Sequence, residues 1–209
     1  MCGIVGYVGG TDAVPILLDG LRRLEYRGYD SAGIATLNGG GIEVRKSVGR
    51  IADLSKVIAE NPPHGKLGIS HTRWATHGAV TNENAHPHFD QARRLGLVHN
   101  GVIENYLSLR AQLEEKGHAF QSQTDTEVLA HLIGANFERS NQKTQSAFVE
   151  AVRESLRQVI GTYGIAVIHA DVPGVLVGAR RGSPLVLGVG KGEHFLASDV
   201  SAIVAHTRE

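Results

Sequence analysis

Apolar residues recur along this chain with two different periods, and the switches between them mark its elements. Gly3–Val8 (GIVGYV) is a short apolar run that reads as a buried strand beginning just after Cys2. Val14, Leu17, Leu18, Leu21 and Leu24 then fall on one face at helical spacing. Thr11 or Asp12 caps that helix, and Pro15 lies in its first turn, where proline is tolerated. Ala32–Leu37 and Ile42–Ser47 predict two strands joined as a hairpin through Asn38-Gly39-Gly40-Gly41. Ile51–Glu60 predicts a helix stopped by Pro62-Pro63, and Leu67–Thr72 a strand. Arg73–Phe89 has no period and is rich in Asn, His and Gly; a loop that long inside a domain is usually functional. Leu95–Asn100 reads as a strand ending at Asn100-Gly101.

Beyond it, Asn105 caps a helix that Gly117 ends, and Phe120 lies in a short extended piece. Thr124-Asp125-Thr126-Glu127 has the form of a capping box, opening a helix with Val128, Leu129, Leu132, Ile133 and Phe137 on one face. Thr144 starts another helix, carrying Val149, Val152, Leu156 and Val159. The period then returns to strands at Tyr163–His169, Val175–Ala179, Leu185–Val189 and His194–Ala197, with a last helical turn within Ser198–His206. Strands and helices do not alternate strictly, which disfavours a doubly wound parallel sheet. Two antiparallel sheets packed together, with helices on their outer faces, fit the order better. No repeat, low-complexity stretch or linker divides the chain, so one domain is expected.

Composition narrows the function. At 209 residues the chain has the length of about one domain. Lys plus Arg and Asp plus Glu both number 21, so nothing electrostatic points to nucleic acid or a membrane surface as partner. No apolar run approaches the ~18 residues of a membrane span, and the N-terminus lacks the basic and apolar regions of a signal peptide. A single cysteine excludes an intrachain disulfide and suits a reducing, cytoplasmic setting.

That cysteine is Cys2. A lone cysteine is ordinarily a small buried hydrophobe. Here, removal of Met1 would leave a residue carrying both a thiol and a free α-amine, nucleophile and base in one, with a water to bridge them. Three further signals are weak in isolation. Arg73, at a strand end beside Trp74, can offer a guanidinium fork to a carboxylate, or can simply stack on the indole. Asn100 and the Gly101 N–H can donate together to one oxygen, as an oxyanion hole requires, although Asn-Gly alone more often marks a turn. Asp125 gains from the helix dipole, or faces a ligand ammonium. Of the 11 histidines, His86 and His88 have a spacing seen in metal sites, but no ligand frame surrounds them and no metal or cofactor is expected.

Taken in order, the motifs converge. MCGIVG at Met1–Gly6, LRRLEYRGYDSAG at Leu21–Gly33, HTRWATHG at His71–Gly78, NAHPH at Asn84–His88, VHNG at Val98–Gly101 and TDTE at Thr124–Glu127 resemble the glutaminase domain of class II glutamine amidotransferases. The EYRGYDSAG, HTRWATHG and NAHPH segments resemble the branch that aminates a sugar phosphate. The resemblance covers essentially the whole chain, residues 2–209.

It implies an α+β fold, an αββα N-terminal-nucleophile hydrolase sandwich of two antiparallel sheets. It implies that Cys2 attacks the γ-carboxamide of L-glutamine while Asn100 and Gly101 hold the oxyanion. Arg73 would take the α-carboxylate and Asp125 the α-ammonium. Thr76 and His77 would line the carboxylate end, and Trp74 would belong to a closing loop. In the family a sugar-isomerase domain follows this one and the glutaminase domain itself runs on past Glu209, so the sequence reads as a C-terminally truncated piece. Fructose 6-phosphate would be met only through the missing domain, and the parent would be a homo-oligomer. A glutaminase serving another acceptor, and a non-catalytic binding domain on the same fold, remain the alternatives.

Overall fold

Each strand has two faces to bury, and the chain does so by pairing its strands into two sheets and packing helices outside both. The protein is described by a computed structural model covering residues 2–74 and 78–209. In chain order the elements are β1 (Gly3–Val8), α1 (Ala13–Leu24), β2 (Ser31–Asn38), β3 (Gly41–Val48), α2 (Ile51–Glu60), β4 (Leu67–Arg73), β5 (His88–Phe89) and β6 (Leu95–Ile103). There follow α3 (Tyr106–Glu114), α4 (Asp125–Arg139), α5 (Gln145–Gln158), β7 (Gly161–His169), β8 (Leu176–Arg181), β9 (Val186–Val189) and β10 (His194–Ala197). Short 3-10 turns occupy Glu25–Arg27 and Val200–Ala202.

The first sheet runs β3-β2-β4-β1-β10-β9 and the second β5-β6-β7-β8. Every pairing between named strands is antiparallel. Ile4, Ala35, Leu67 and Ile69 of the first sheet meet Val98, Ala166 and Ile168 of the second in a layer between them. The alternate residues point outward. Val5, Tyr7 and Ile34 pack under α1 and α2 with Leu17, Leu21 and Leu54. Leu95, Leu97, Ile165 and Val167 pack under α3, α4 and α5 with Val128, Phe137 and Phe148. The α+β class and the αββα sandwich expected from the sequence are thus the architecture observed.

Local causes are plain at several points. Asp12 caps α1, its Oδ1 accepting the Val14 N–H at 3.1 Å, and the five apolar residues read on one face are all buried. The β2–β3 hairpin turns on Gly39 and Gly40 alone, with φ of +57° and +99°, the left-handed pair that a two-residue turn requires.

Four expectations need correction. β6 does not turn at Asn100-Gly101 but continues to Ile103, paired throughout with β7. The loop after β4 stops at Pro87, because His88 and Phe89 pair with Leu97 and Gly96 as β5. Thr124 does cap α4, accepting the Glu127 N–H at 3.3 Å. The reciprocal half of the box is absent, since the Glu127 carboxylate instead accepts the N–H groups of Gln121 and Ser122 at 2.9 and 2.7 Å. Asn105 occupies the N-cap of α3, but its side chain bridges Gln158 and Ile160 rather than capping.

Candidate active site

Strand periodicity assembles the site. Side chains two apart on a strand share a face. Leu67 and Ile69 face the layer between the sheets, so His71 and Arg73 continue that row to the end of β4. Val98 is continued in the same way by Asn100, and Ile4 is preceded by Cys2. The apolar rows therefore end together in a polar group of Cys2, His71, Arg73 and Asn100. With Gly101 and with Thr124, Asp125 and Thr126 at the start of α4, these residues line a cavity of about 40 Å³. That volume admits a few waters or an amide group.

The Cys2 sulfur accepts the Trp74 backbone N–H at 3.2 Å. Burial pushes the thiol pKa up, and the Trp74 N–H opposes that shift in part. The thiol is accordingly protonated at neutral pH, and attack requires a base. Asn100 Nδ2 donates to the Cys2 carbonyl oxygen at 2.9 Å, while its Oδ1 lies 2.9 Å from His71 Nε2. Gly101 has φ of +131°, and a Cβ there would stand 2.1 Å from the Thr162 carbonyl oxygen. Only glycine passes that point without displacing β7.

Arg73 is buried, and its Nη1 donates to the Ala79 carbonyl at 3.3 Å. Asp125 is aimed from the first residue of α4 by the Ile103 N–H, which donates to Oδ2 at 2.8 Å. Trp74 is half-exposed and meets Tyr29 edge-on, ring centroids 5.3 Å apart.

The Leu21–Gly33 motif supports this group from behind. A Cβ on Gly28 would lie 2.8 Å from the Arg73 carbonyl carbon, the Asp30 N–H donates to Arg73 O at 3.1 Å, and Thr72 Oγ1 donates to Gly28 O. A Cβ on Gly33 would lie 2.1 Å from the His86 carbonyl oxygen. The motif is thus a close-packed brace for the end of β4 and for His86.

Cys2, Arg73, Trp74, Asn100, Gly101 and Asp125, all singled out in the sequence, line one cavity. Thr76 and His77 lie outside the described residues. Not foreseen were His71, His86, His99 and Thr126, which line it too. His71 had a signal, two positions beyond Ile69 on the same strand face. His86 and His99 stood in the NAHPH and VHNG motifs, but nothing in the sequence showed that they meet, because the link between them joins a loop to β6: the His99 N–H donates to His86 Nδ1 at 3.4 Å.

Burial holds the His71 pKa down to about 3 and those of His86 and His88 well below the usual range. Burial also lowers His99, against the pull of Asp125. Among the described residues no three His, Cys, Asp or Glu side chains group as metal ligands. His88 instead hydrogen-bonds Thr124 Oγ1 at 3.0 Å. Beyond His88 lies a larger cavity of about 410 Å³, bordered by Lys46, Phe89 and Arg93. It is ten times the size, yet no thiol borders it.

This fold and this cysteine-centred site define a class that comparison with known proteins makes explicit. The family model described as the glutamine amidotransferase domain matches residues 49–209, and the chain belongs to that family. The glutamine–fructose-6-phosphate aminotransferase (isomerizing) of Streptomyces coelicolor is 52% identical over 210 residues, covering 100% of this chain and 33% of the relative. That of Thermus thermophilus is 53% identical over 208 residues, with the same coverage. The chain thus spans about a third of the length of these relatives. Among solved structures, the B. subtilis glutamine phosphoribosylpyrophosphate amidotransferase complexed with ADP and GMP superposes with a TM-score of 0.80. It is 31% identical, over 99% of this chain and 44% of that one.

Proposed function

We propose that residues 2–209 hydrolyse the γ-amide of L-glutamine and supply its ammonia to an acceptor, fructose 6-phosphate, for the synthesis of D-glucosamine 6-phosphate. The observation that carries the reading is the meeting of Cys2 and Asn100 in one cavity with Arg73 and Asp125. A thiol, an amide donor, a guanidinium and a carboxylate match the four polar features of the reaction: an electrophilic amide carbon, an oxyanion, an α-carboxylate and an α-ammonium.

With Met1 removed, the α-amine of Cys2 takes the thiol proton through a water, and the sulfur attacks the γ-carbon. Asn100 Nδ2 and the Gly101 N–H stabilise the oxyanion. The proton passes to the amide nitrogen, ammonia leaves, and a γ-glutamyl thioester remains. Water then adds to the thioester, releasing glutamate and restoring the thiol. Arg73 and Asp125 hold the two charges on Cα, with Thr76 and His77 at the carboxylate end and Trp74 closing over the substrate.

In this reading the sugar phosphate is bound outside residues 2–209, in an isomerase domain of a homo-oligomeric parent. Gly190-Lys191-Gly192, the glycine-lysine cluster nearest in type to a phosphate loop, is the β9–β10 turn, closed by a 2.9 Å bond from the Gly190 N–H to Glu193 O. It precedes no helix that would cradle an anion. The names of the relatives support hexosamine synthesis. A lone thiol and the lack of a membrane-spanning helix among the described residues fit a cytoplasmic setting. Ammonia release from glutamine, with stoichiometric labelling of Cys2 by an electrophilic glutamine analogue, tests the reading. Cys2→Ala should abolish both; turnover by that variant would refute it.

A further inference from the structure

A side-chain amide is useful as an oxyanion donor only in one of its two orientations. Rotated by 180° about its last bond, Asn100 would present Oδ1 to the developing negative charge and repel it. What fixes the orientation is therefore part of the machinery. We propose that His71 is the positioning residue of this site: its Nε2–H, donated to Asn100 Oδ1, holds the amide with its N–H groups facing Cys2.

The proton assignment follows from the contacts. The Cys2 carbonyl only accepts, so the atom 2.9 Å from it is an N–H donor, Nδ2 of Asn100. Oδ1 then faces His71 Nε2 at 2.9 Å and needs a donor there. His71 is buried to 1% exposure and neutral, so it carries a single proton, on Nε2. The His99 backbone also draws on the ring, but more weakly than Asn100 does, and Nδ1 has no partner within hydrogen-bond distance among the described residues. A flipped Asn100 would set Nδ2–H against Nε2–H, two donors head to head. The flip is therefore opposed at both ends of the amide.

The ring itself is held in place. It stacks on His86 with centroids 4.1 Å apart and planes 29° from parallel. His86 accepts the His99 N–H, and its ring meets His88 edge-on at 4.8 Å. The Asn84–His88 segment thereby acquires a role in the site that no metal is needed to explain: it clamps His71, which clamps Asn100.

The inference rests on the glutaminase reading for its consequence but not for its geometry, and the test separates the two. In the wild-type protein, nitrogen NMR of labelled histidine should show His71 neutral with its proton on Nε2. A proton on Nδ1 would overturn the proposal whatever the protein does with glutamine. His71→Phe keeps a flat ring for stacking and removes the donor. It should lower kcat about 10- to 100-fold with KM within about threefold, less than full loss of an oxyanion donor. His71→Gln, whose amide reaches a similar position, should recover most of the rate. Alkylation of Cys2 by iodoacetamide forms no oxyanion, so its rate in His71→Phe should match wild type; a slower rate would mean that the variant disturbs the thiol itself and would refute the assignment. Asn100→Ala with His71→Phe should be no slower than Asn100→Ala alone. Additive losses, or wild-type kcat in His71→Phe, would equally refute it. Should His71→Phe not fold, the wild-type spectrum and His71→Gln still decide. An Nε2 proton in a protein that releases no ammonia would instead overturn the glutaminase reading alone.

Discussion

The layer between the sheets is one structure with two chemistries. At one end Leu67, Ile69, Val98 and Ile168 interlock without a polar side chain among them. Two residues further along the same strands stand His71 and Asn100, then Arg73, with Cys2 beside them. The backbone pairing is continuous across the change: Ile69 lies opposite Gly6 and Ala35, and His71 opposite Ile4 and Gly33. The dry end is held by burial, which is strong and non-directional. The polar end is held by hydrogen bonds and by neutral buried histidines, so each group there needs a particular partner and a particular proton. The dry end gives stability without chemistry, and the polar end gives chemistry that is conditional on pH.

The largest way to break the symmetry is acid. In the unfolded chain a histidine gains its proton near pH 6.5; in the folded protein His71 stays neutral down to about pH 3. Between those values the unfolded state binds the extra proton, so stability falls as pH falls. Each such group removes about 1.4 kcal/mol per pH unit, or ~2 kcal/mol for His71 at pH 5. His86, His88 and His99 shift in the same direction, also through burial. Asp171 and Asp199 are lowered, by Arg94 and by Ser201 respectively, and lose their contribution only below the usual carboxylate range. Denaturant midpoints should therefore drop steeply between pH 6.5 and 4.5, with uptake of more than one proton per molecule unfolded. A flat profile over that window would contradict the buried, neutral histidines.

At the polar end alone, Asn100→Ala should lower kcat by about 10²–10³ with KM little changed, since the donor acts on a charge that exists only in the transition state. Steady-state glutaminase kinetics would show it, and a change confined to KM would recast Asn100 as a ground-state contact. Arg73→Ala should cost about 1.5–3 kcal/mol of glutamine binding, roughly a ten- to hundredfold rise in KM. The variant should also discriminate less against glutamine analogues that lack the α-carboxylate. Unaltered discrimination would remove Arg73 from the α-carboxylate.

The two ends also differed in how far the sequence disclosed them. β1, α1 and the β2–β3 pair follow from period and capping, because the forces that form them act within a few residues. Asn100-Gly101 misleads at that range. Its residue types suit a turn, and it is kept extended by β7, some sixty positions away, where the Thr162 carbonyl leaves room only for a glycine. Glu127 misleads for the same reason at shorter reach, its carboxylate being taken by Gln121 and Ser122. β5 is two residues long and has no period to show. Motif chemistry located Cys2, Arg73, Asn100 and Asp125. It passed over His71, whose importance comes from which atom of Asn100 it touches.

The smallest change bears on the dry end. Ile69 is fully buried, two positions before His71 on β4. Ile69→Val removes one methylene from a layer that relaxes only in part, and should cost about 0.5–1.5 kcal/mol. In a chain of this size that is about 1–6 °C in Tm. Valine keeps the β-branch and the strand's hydrogen bonds, so the register that carries His71 and Arg73 is unchanged. Glutaminase kcat and KM at a temperature well below Tm should then match wild type. If kcat falls with stability, the apolar row would be shown to tune the position of His71, and the division between the two ends would have to be redrawn one residue pair deeper.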